Sequence, residues 1–384
     1  MKYSNIGGQA VMEGVMMRNG EKYAVAVRTS DGNIVVRQKT YKSLIPAKVQ
    51  KMPIIRGAFN FVDSLVLGMS SLMFSAEFFA EESPEELEER LQEEKKKAEK
   101  KANRLRSSGK AAEADKVLET FEKNAAQERE DAARKAAPET PVDEKKDSNG
   151  LLMGLTVAFS LVLSIGLFMM LPYFLSRGLR MITKSEALIS TAEACLRMMI
   201  FFGYLFLISR MKDIQRTFMY HGAEHKCINC IEHGLELNVE NVRKSSREHK
   251  RCGTSFLLYV MVVSVIFFMF IRVSSPILRI VIRLLLMPVI AGVAYEFIRL
   301  AGRYDNAFVN IMSKPGMLLQ HMTTREPDDS QIEVGMASVE AVFNWKKYLN
   351  ENFGASYDLS DVHVDEPEGG SAACDMPCGR TADS

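Results

Sequence analysis

Hydrophobic positions along this chain gather into long runs in the second half and into short alternating or periodic patterns elsewhere. Four runs stand out: "LLMGLTVAFSLVLSIGLFMMLPYFL" from Leu151, "ALISTAEACLRMMIFFGYLFLIS" from Ala187, "SFLLYVMVVSVIFFMFI" from Ser255 and "ILRIVIRLLLMPVIAGVAYEFI" from Ile277. About 20 apolar residues cross a hydrocarbon core, and the first and third runs meet that test with almost no charge. The second carries Glu193 and Arg197 at helical i,i+4 spacing, where they can pair and face other helices; the fourth carries Arg279 and Arg283 near one end and Glu296 near the other. "VMVVSVIFFMF" has no polar face for water, which argues against a set of soluble core helices. The expected fold is mainly α, a multi-pass helical membrane protein with about four transmembrane helices paired as 150–209 and 255–298.

The other patterns divide the rest of the chain. In 1–57, "KYAVAVRTSDGNIVVRQKTY" alternates on both sides of Asp31 and Gly32, the signature of a β-hairpin in a small sheet. The helix of 58–80, "AFNFVDSLVLGMSSLMFSAEFF", is apolar but interrupted by Asp63, serines and glycines, and fits an amphipathic, a re-entrant or a fifth spanning segment. Residues 81–149 change abruptly to charge. Ser83, Pro84 and Glu86 suit a helix start, Ser107, Ser108 and Gly109 a turn, and a thin stripe of Leu87, Leu91, Ala98, Ala102 and Leu105 faces Val117, Leu118 and Phe121. This is a charged helical-hairpin insertion, better suited to contact with a protein partner or to spacing than to catalysis. After a cytosolic segment at 299–353, the tail 354–384 is polar with little to bury, and reads as disordered; His363, Cys374 and Cys378 lie within it.

Charge sets an orientation. The segment 210–254 holds nine lysines and arginines against three in Ser176–Glu186. The positive-inside rule places that larger loop in the cytoplasm, and four spans place both termini there too, in a cell inner or plasma membrane. A fifth span would separate the amino terminus from this loop. The amino-terminal "MKYSNIGGQAVMEGVMMRNG" has a glutamate, an arginine and four glycines, unlike a cleavable signal peptide. Over 384 residues, 47% of them hydrophobic, the formal charge is +1, so no nucleic-acid partner is expected, while the bilayer itself is. Six cysteines without a pairing framework suit a reducing compartment.

Candidate chemistry concentrates in "YHGAEHKCINCIEHG", residues 220 to 234, on a helix expected to run to Gly234. His221 and His225 lie one turn apart, so both imidazoles can grip one ion, with Glu224 within reach as a base; the pattern is H-x-x-E-H. Glu232 is excluded from the same ion, being roughly 16 Å along a continuous helix. A third ligand must come from another segment, and the candidates are Glu296, His249, Cys252 and Glu13. Each has a bland reading: Glu296 has Arg299 at i+3, His249 sits in a polar loop, and Glu13 has Arg18 nearby. Cys227 and Cys230 have redox-motif spacing without a surrounding βαβ pattern, and read as packing thiols.

"GGQAVMEGVMMR", "HGAEHKCINCIE", "HKRCGTSF", "YEFIRLAGR" and "KPGMLLQHMTTREP" resemble, in this order, the YqhQ family. The resemblance covers nearly the whole chain apart from the charged insertion and the tail. It implies a bacterial multi-pass membrane protein of unknown function, under a general label of metal-dependent enzyme that rests on the same histidine motif. Three functions are therefore weighed: a zinc hydrolase with His221, His225 and base Glu224 at the cytoplasmic membrane surface, a transporter built on the intramembrane charges, and a non-catalytic scaffold. The chain has no phosphate-cradling Gly-x-x-x-x-Gly-Lys loop, no dinucleotide fingerprint and no serine nucleophile elbow.

Overall fold

The chain opens with four strands, β1 (Gly7–Val11), β2 (Gly14–Asn19), β3 (Lys22–Arg28) and β4 (Ile34–Thr40). They form one antiparallel sheet in the order β1-β2-β3-β4. The hairpin expected around Asp31 and Gly32 is β3–β4, with Gly32 in the left-handed region at φ 81°. The glycine-rich stretch before it supplies two further strands that alternation did not reveal. Gly20, at φ 61°, takes the first position of the two-residue turn between β2 and β3, where a type II′ turn favours glycine. This computed structural model describes residues 2–43, 49, 51–79, 84–107, 111–135, 150–271, 273, 275–304 and 306–359.

Register explains why β2 and β3 read as nearly continuous apolar runs. Gln9, Met16, Val25 and Arg37 form one cross-strand row, and Gly8, Met17, Ala24 and Gln38 the adjacent row on the opposite face. Both faces are covered. Met17, Ala24 and Ala26 join a core with helix α7 (Lys212–Glu232), helix α12 (Asp329–Val342) and helix α13 (Trp345–Phe353). On the other face lies helix α1 (Ile55–Phe79). The Gln9 amide donates to Gly68 O at 3.1 Å, and the Arg37 guanidinium sits 4.5 Å above the Phe74 ring.

Five helices among the described residues are long and apolar enough to cross a membrane: Ile55–Phe78, Leu155–Gly178, Ala187–Ile208, Gly253–Phe270 and Leu278–Ala301. This is compatible with a multi-pass membrane protein, although Ile55–Phe78 adds a helix to the four runs expected. The second comprises α4 (Gly150–Ile165), a π-helical turn at Gly166–Met170 and α5 (Leu171–Gly178). The others are α6 (Glu186–Ile208), α9 (Gly253–Phe270) and α10 (Pro276–Arg303). Their charges close on one another: Glu193 Oε1 lies 2.9 Å from Arg197 and 2.6 Å from Arg283, as the i,i+4 spacing on α6 foresaw for the first pair. Arg197 also donates to Phe168 O within the π turn at 3.3 Å.

Helices α2 (Pro84–Ser107) and α3 (Ala111–Lys135) form a compact unit of their own with the adjoining stretches. Leu91, Phe121 and Ala125 cluster, and Arg129 pairs with Glu88 at 2.7 Å, so the thin apolar stripe is satisfied within the hairpin. Ser83, Ser108, Gly109, His363, Cys374 and Cys378 lie outside the described residues.

Candidate metal centre

Helix α7 ends as the sequence suggests, with His233 as C-cap and Gly234 at φ 80° just beyond it. From Tyr220 to Glu232 it is almost wholly buried, unusual for a stretch so polar. The polar side chains are therefore committed to partners. His221 and His225 lie one turn apart, edge to face, with ring centroids 4.4 Å from each other. Facing them is Cys252, and one ligand atom from each of the three lies within 4.8 Å of the others.

The rings are held in a defined tautomer. His221 Nδ1 is 2.8 Å from Thr323 O, and His225 Nδ1 is 2.6 Å from Arg247 O. A carbonyl only accepts, so each Nδ1 carries a proton, and Nε2 is the nitrogen each ring can offer to a metal once that atom is unprotonated, the orientation found in metal-binding histidines. His221 Nε2 lies 3.2 Å from Cys252 Sγ. Ligands of a tetrahedral zinc, with bonds of about 2.3 Å to sulfur and about 2.1 Å to nitrogen, sit roughly 3.5 Å apart, so two imidazoles and a thiolate at this spacing fit zinc. Cys252 is also the N-cap of α9, its sulfur accepting from Thr254 N–H at 3.3 Å.

Electrostatics favour the ligand form of the sulfur. Burial pushes the Cys252 thiol up, but His221 and His225 together reverse this and hold it well below the usual thiol range. Burial works against a charged His221 as well, yet Cys252, Glu224 and the Thr323 carbonyl raise it to about 9. Glu224 sits against the same group, Oε2 4.0 Å from His221 Nε2, and burial raises its carboxyl against the two histidines and the Gly8 backbone. A carboxyl raised toward neutrality is suited to exchanging protons.

A loop delivers the cysteine. Lys226 Nζ donates to Arg243 O and Ser245 O at 2.8 Å each, and Asn229 Nδ2 donates to Ser246 O at 2.7 Å and Glu248 O at 2.9 Å. With His225 on Arg247 O, five carbonyls of this loop are stapled to α7. Gln320, in α11 (Ala307–Thr323), completes the brace by bonding both the N–H and the C=O of His249. The following segment crosses α7 at Gly222, where a Cβ would stand 2.0 Å from Arg325 O. At Gly8, a Cβ would meet Met16 O at 2.4 Å and Glu224 Cγ at 3.1 Å, so glycine lets β1 lie against the carboxyl.

The remaining candidates lie apart from this cluster. Glu296 pairs with Arg56 at 2.5 Å, with Arg299 acting on it electrostatically, and Glu13 takes Arg216 in a bidentate clamp plus the Tyr220 hydroxyl at 3.1 Å, rather than Arg18. Arg18 itself donates to Gly20 O at 2.8 Å. Glu13 holds a left-handed φ of 48° in the β1–β2 turn, which the Arg216 clamp and Arg28 N–H on Glu13 O support. His249 is buried rather than solvated; its ring centroid is 5.7 Å from that of His225, but its Nε2 faces Glu232 at 3.6 Å. Cys227 and Cys230 are buried, and burial raises both thiols, the second to about 11. Thr323, Arg325 and Gln320 have roles that spacing could not assign; their only signal was membership of the block "KPGMLLQHMTTREP".

A bundle of apolar helices with a two-faced sheet domain and a buried His2Cys cluster defines the class of protein. Residues 52–345 match the family described as protein of unknown function (DUF1385), and the chain belongs to it. It is similar to the uncharacterized protein YqhQ of Bacillus subtilis (strain 168), at 29% identity over 362 residues that cover 92% of this chain and 96% of that protein. No solved structure matches.

Proposed function

We propose that His221, His225 and Cys252 hold a divalent transition metal, zinc by the character of the donors, in a hydrolase of the cytoplasmic membrane surface. What carries this reading is the pair of Nδ1–H bonds to Thr323 O and Arg247 O, which turn both Nε2 atoms toward one sulfur. Zinc supplies Lewis acidity when bound, and three protein donors leave a position for substrate or water. Glu224 takes and returns the proton. The orientation is that of a multi-pass protein of the cell inner or plasma membrane with both termini in the cytoplasm. The α2–α3 hairpin, self-contained and charged, is offered to a protein partner.

A second reading has its own support. Cys252 and His221 at 3.2 Å, with Thr254 N–H on the sulfur, also compose a thiolate–imidazolium pair, a nucleophile without metal. Transport by the intramembrane charges has less, because Glu193 is shared by Arg197 and Arg283. Elemental analysis of the detergent-solubilised protein decides. About one equivalent of transition metal is expected in the wild type, little in His221→Ala, His225→Ala and Cys252→Ala, and full occupancy with lost function in Glu224→Gln. A wild type that is metal-free and takes up no zinc, cobalt or manganese would overturn the metal reading.

A further inference from the structure

We infer that α1 lies in the plane of the membrane on the side that carries the sheet, its apolar face in the lipid leaflet and its polar face on the sheet, and does not cross the bilayer. Parity comes first. The sheet touches α7 directly: Glu13 clamps Arg216, Ser4 N–H and Oγ both donate to Glu232 Oε1 at 2.8 Å, and Gly8 abuts Glu224. Sheet and α7 therefore share one side of the membrane, and the chain between Thr40 and Lys212 crosses it an even number of times. Among the described residues of that interval, three helices are apolar and long enough to cross: Ile55–Phe78, Leu155–Gly178 and Ala187–Ile208. One of them stays on its own side.

The distribution of polar atoms identifies it. Asp63, Gly68, Ser71 and Ser75 of α1 are buried together with Leu67 and Phe74, while Phe59, Val62, Leu65, Val66, Met69 and Leu72 are exposed, Leu65 at 56%, with Ser64, Ser70 and Glu77 the exposed polar residues among them. The helix is thus amphipathic with its polar side inward, the reverse of a helix that covers a core from water. Its inward side is bonded to the sheet along its length. Asp63 accepts from Tyr41 Oη at 3.2 Å and from Ser43 Oγ, Gly68 O accepts from Gln9, and Ser75 Oγ accepts from Met12 N–H at 3.2 Å. From Gly68 to Ser75 a helix advances about 10 Å, and from Gln9 to Met12 a strand advances about 10 Å. Helix and β1 run side by side, so a spanning α1 would draw the sheet into the hydrocarbon, against the rule that open sheet edges stay out of it.

The occupant of the outward face is the acyl and glycerol region of the leaflet, because that face continues into a span. Gly57 packs against Gly292 and Tyr295 of α10, where a Cβ on Gly57 would stand 2.9 Å from Gly292 Cα, and Arg56 pairs with Glu296 a turn further along α10. The amino-terminal end of α1 is thereby fixed beside the carboxyl-terminal half of a membrane-crossing helix. In-plane helices of this kind sink their apolar face about 5–10 Å into the boundary of headgroups and chains.

Two measurements on the full chain test this. An epitope placed between Phe79 and Pro84 and one added before Met1 should be reached by antibody from the same side of the membrane; access from opposite sides overturns the inference. Single tryptophans at Phe59, Val66 and Leu72, read against the wild type with its one tryptophan, go into phosphatidylcholine–phosphatidylglycerol vesicles with bromines at graded chain depths. All three should be quenched best by the same shallow bromines. Strongest quenching of Val66→Trp by chain-end bromines, with Phe59→Trp and Leu72→Trp shallow, would show a span and overturn it.

Discussion

Gly222→Ala sets two effects of opposite sign against each other. In a helix interior alanine is favoured over glycine by about 1 kcal/mol, so propensity alone expects α7 to gain. Sterics expect the reverse: the new Cβ would stand 2.0 Å from Arg325 O, and about 1.3 Å of separation must open before even a close carbon–oxygen contact of about 3.3 Å is reached. The crossing segment has no freedom to give that much, because Arg325 N–H donates to Phe218 O at 2.9 Å and Thr323 O accepts from His221 at 2.8 Å. Overpacking costs about 1–3 kcal/mol, and each strained hydrogen bond about 1 kcal/mol. The sum is a net destabilisation of about 1–4 kcal/mol once the gain of about 1 kcal/mol is subtracted. Losing the Thr323 carbonyl also frees the His221 ring, and disturbed partners of this kind lower metal affinity about 10–100-fold. Thermal unfolding in detergent, with and without added zinc, and competition against a chromophoric chelator read the two effects separately. Gly203→Ala is the control: nothing stands within 4 Å of its Cβ position, so it should be neutral or stabilising. A Gly222→Ala protein as stable as the wild type, with unchanged zinc affinity, would refute the reasoning.

Three other outcomes follow from the same geometry. Burial raises the Glu232 carboxyl, but His249, Arg251 and Ser4 N–H outweigh it and hold it below the ordinary range; its stabilisation is thus complete above the unfolded value of about 4.3 and lost as pH falls through the folded one. Glu232→Gln should abolish that part of the acid dependence and, by leaving Arg251 without its buried partner, cost about 3–5 kcal/mol at neutral pH; an unchanged acid profile would argue against it. After chelator treatment at pH 8, peptide mapping should find Cys252 alkylated well ahead of Cys227 and Cys230, whose thiols burial raises, and the opposite order would contradict the site. Deleting 84–135 should leave a membrane-inserted protein with the His221–His225–Cys252 cluster intact, since Leu91, Phe121 and Ala125 pack within the hairpin; aggregation of the shortened chain would count against this.

What could be read from the sequence follows the range over which spacing informs. Within one helix it informs well: H-x-x-E-H places His221, Glu224 and His225 on one face because the helical repeat does. Between elements it does not. The bland partners for Glu13 and Glu296 were sought on the same segment, at Arg18 and Arg299, whereas the chain supplies Arg216 and Arg56 from far away. Strand β2 escaped alternation because Met16 and Met17, neighbours on opposite faces, are both buried, and β1, Gly-Gly-Gln-Ala-Val, has no alternation to show. Helix α1 stayed ambiguous for the opposite reason: its buried polar residues satisfy a sheet while most of its apolar ones, Leu67 and Phe74 apart, stand exposed, so hydropathy alone resembles a weak span.

The same argument explains how the third member of the cluster could be named among four candidates yet not singled out. Glu232 is too far along α7 to share an ion with His221, and that distance led away from its role. It takes Arg251, the residue before Cys252, while Asn229 and Lys226 take the carbonyls of the loop leading there and Gln320 takes His249. His225, Asn229 and Glu232 stand at helical spacing on one stripe, so the loop runs along α7 as a strand would along a ladder, and its end at Cys252 returns to His221. Each of them is polar and sits on the part of α7 that is sealed from water. A buried polar stripe of that length needs a partner of equal length, and in "EHKCINCIE" the demand was visible before its answer, "SSREHKRC", could be matched to it.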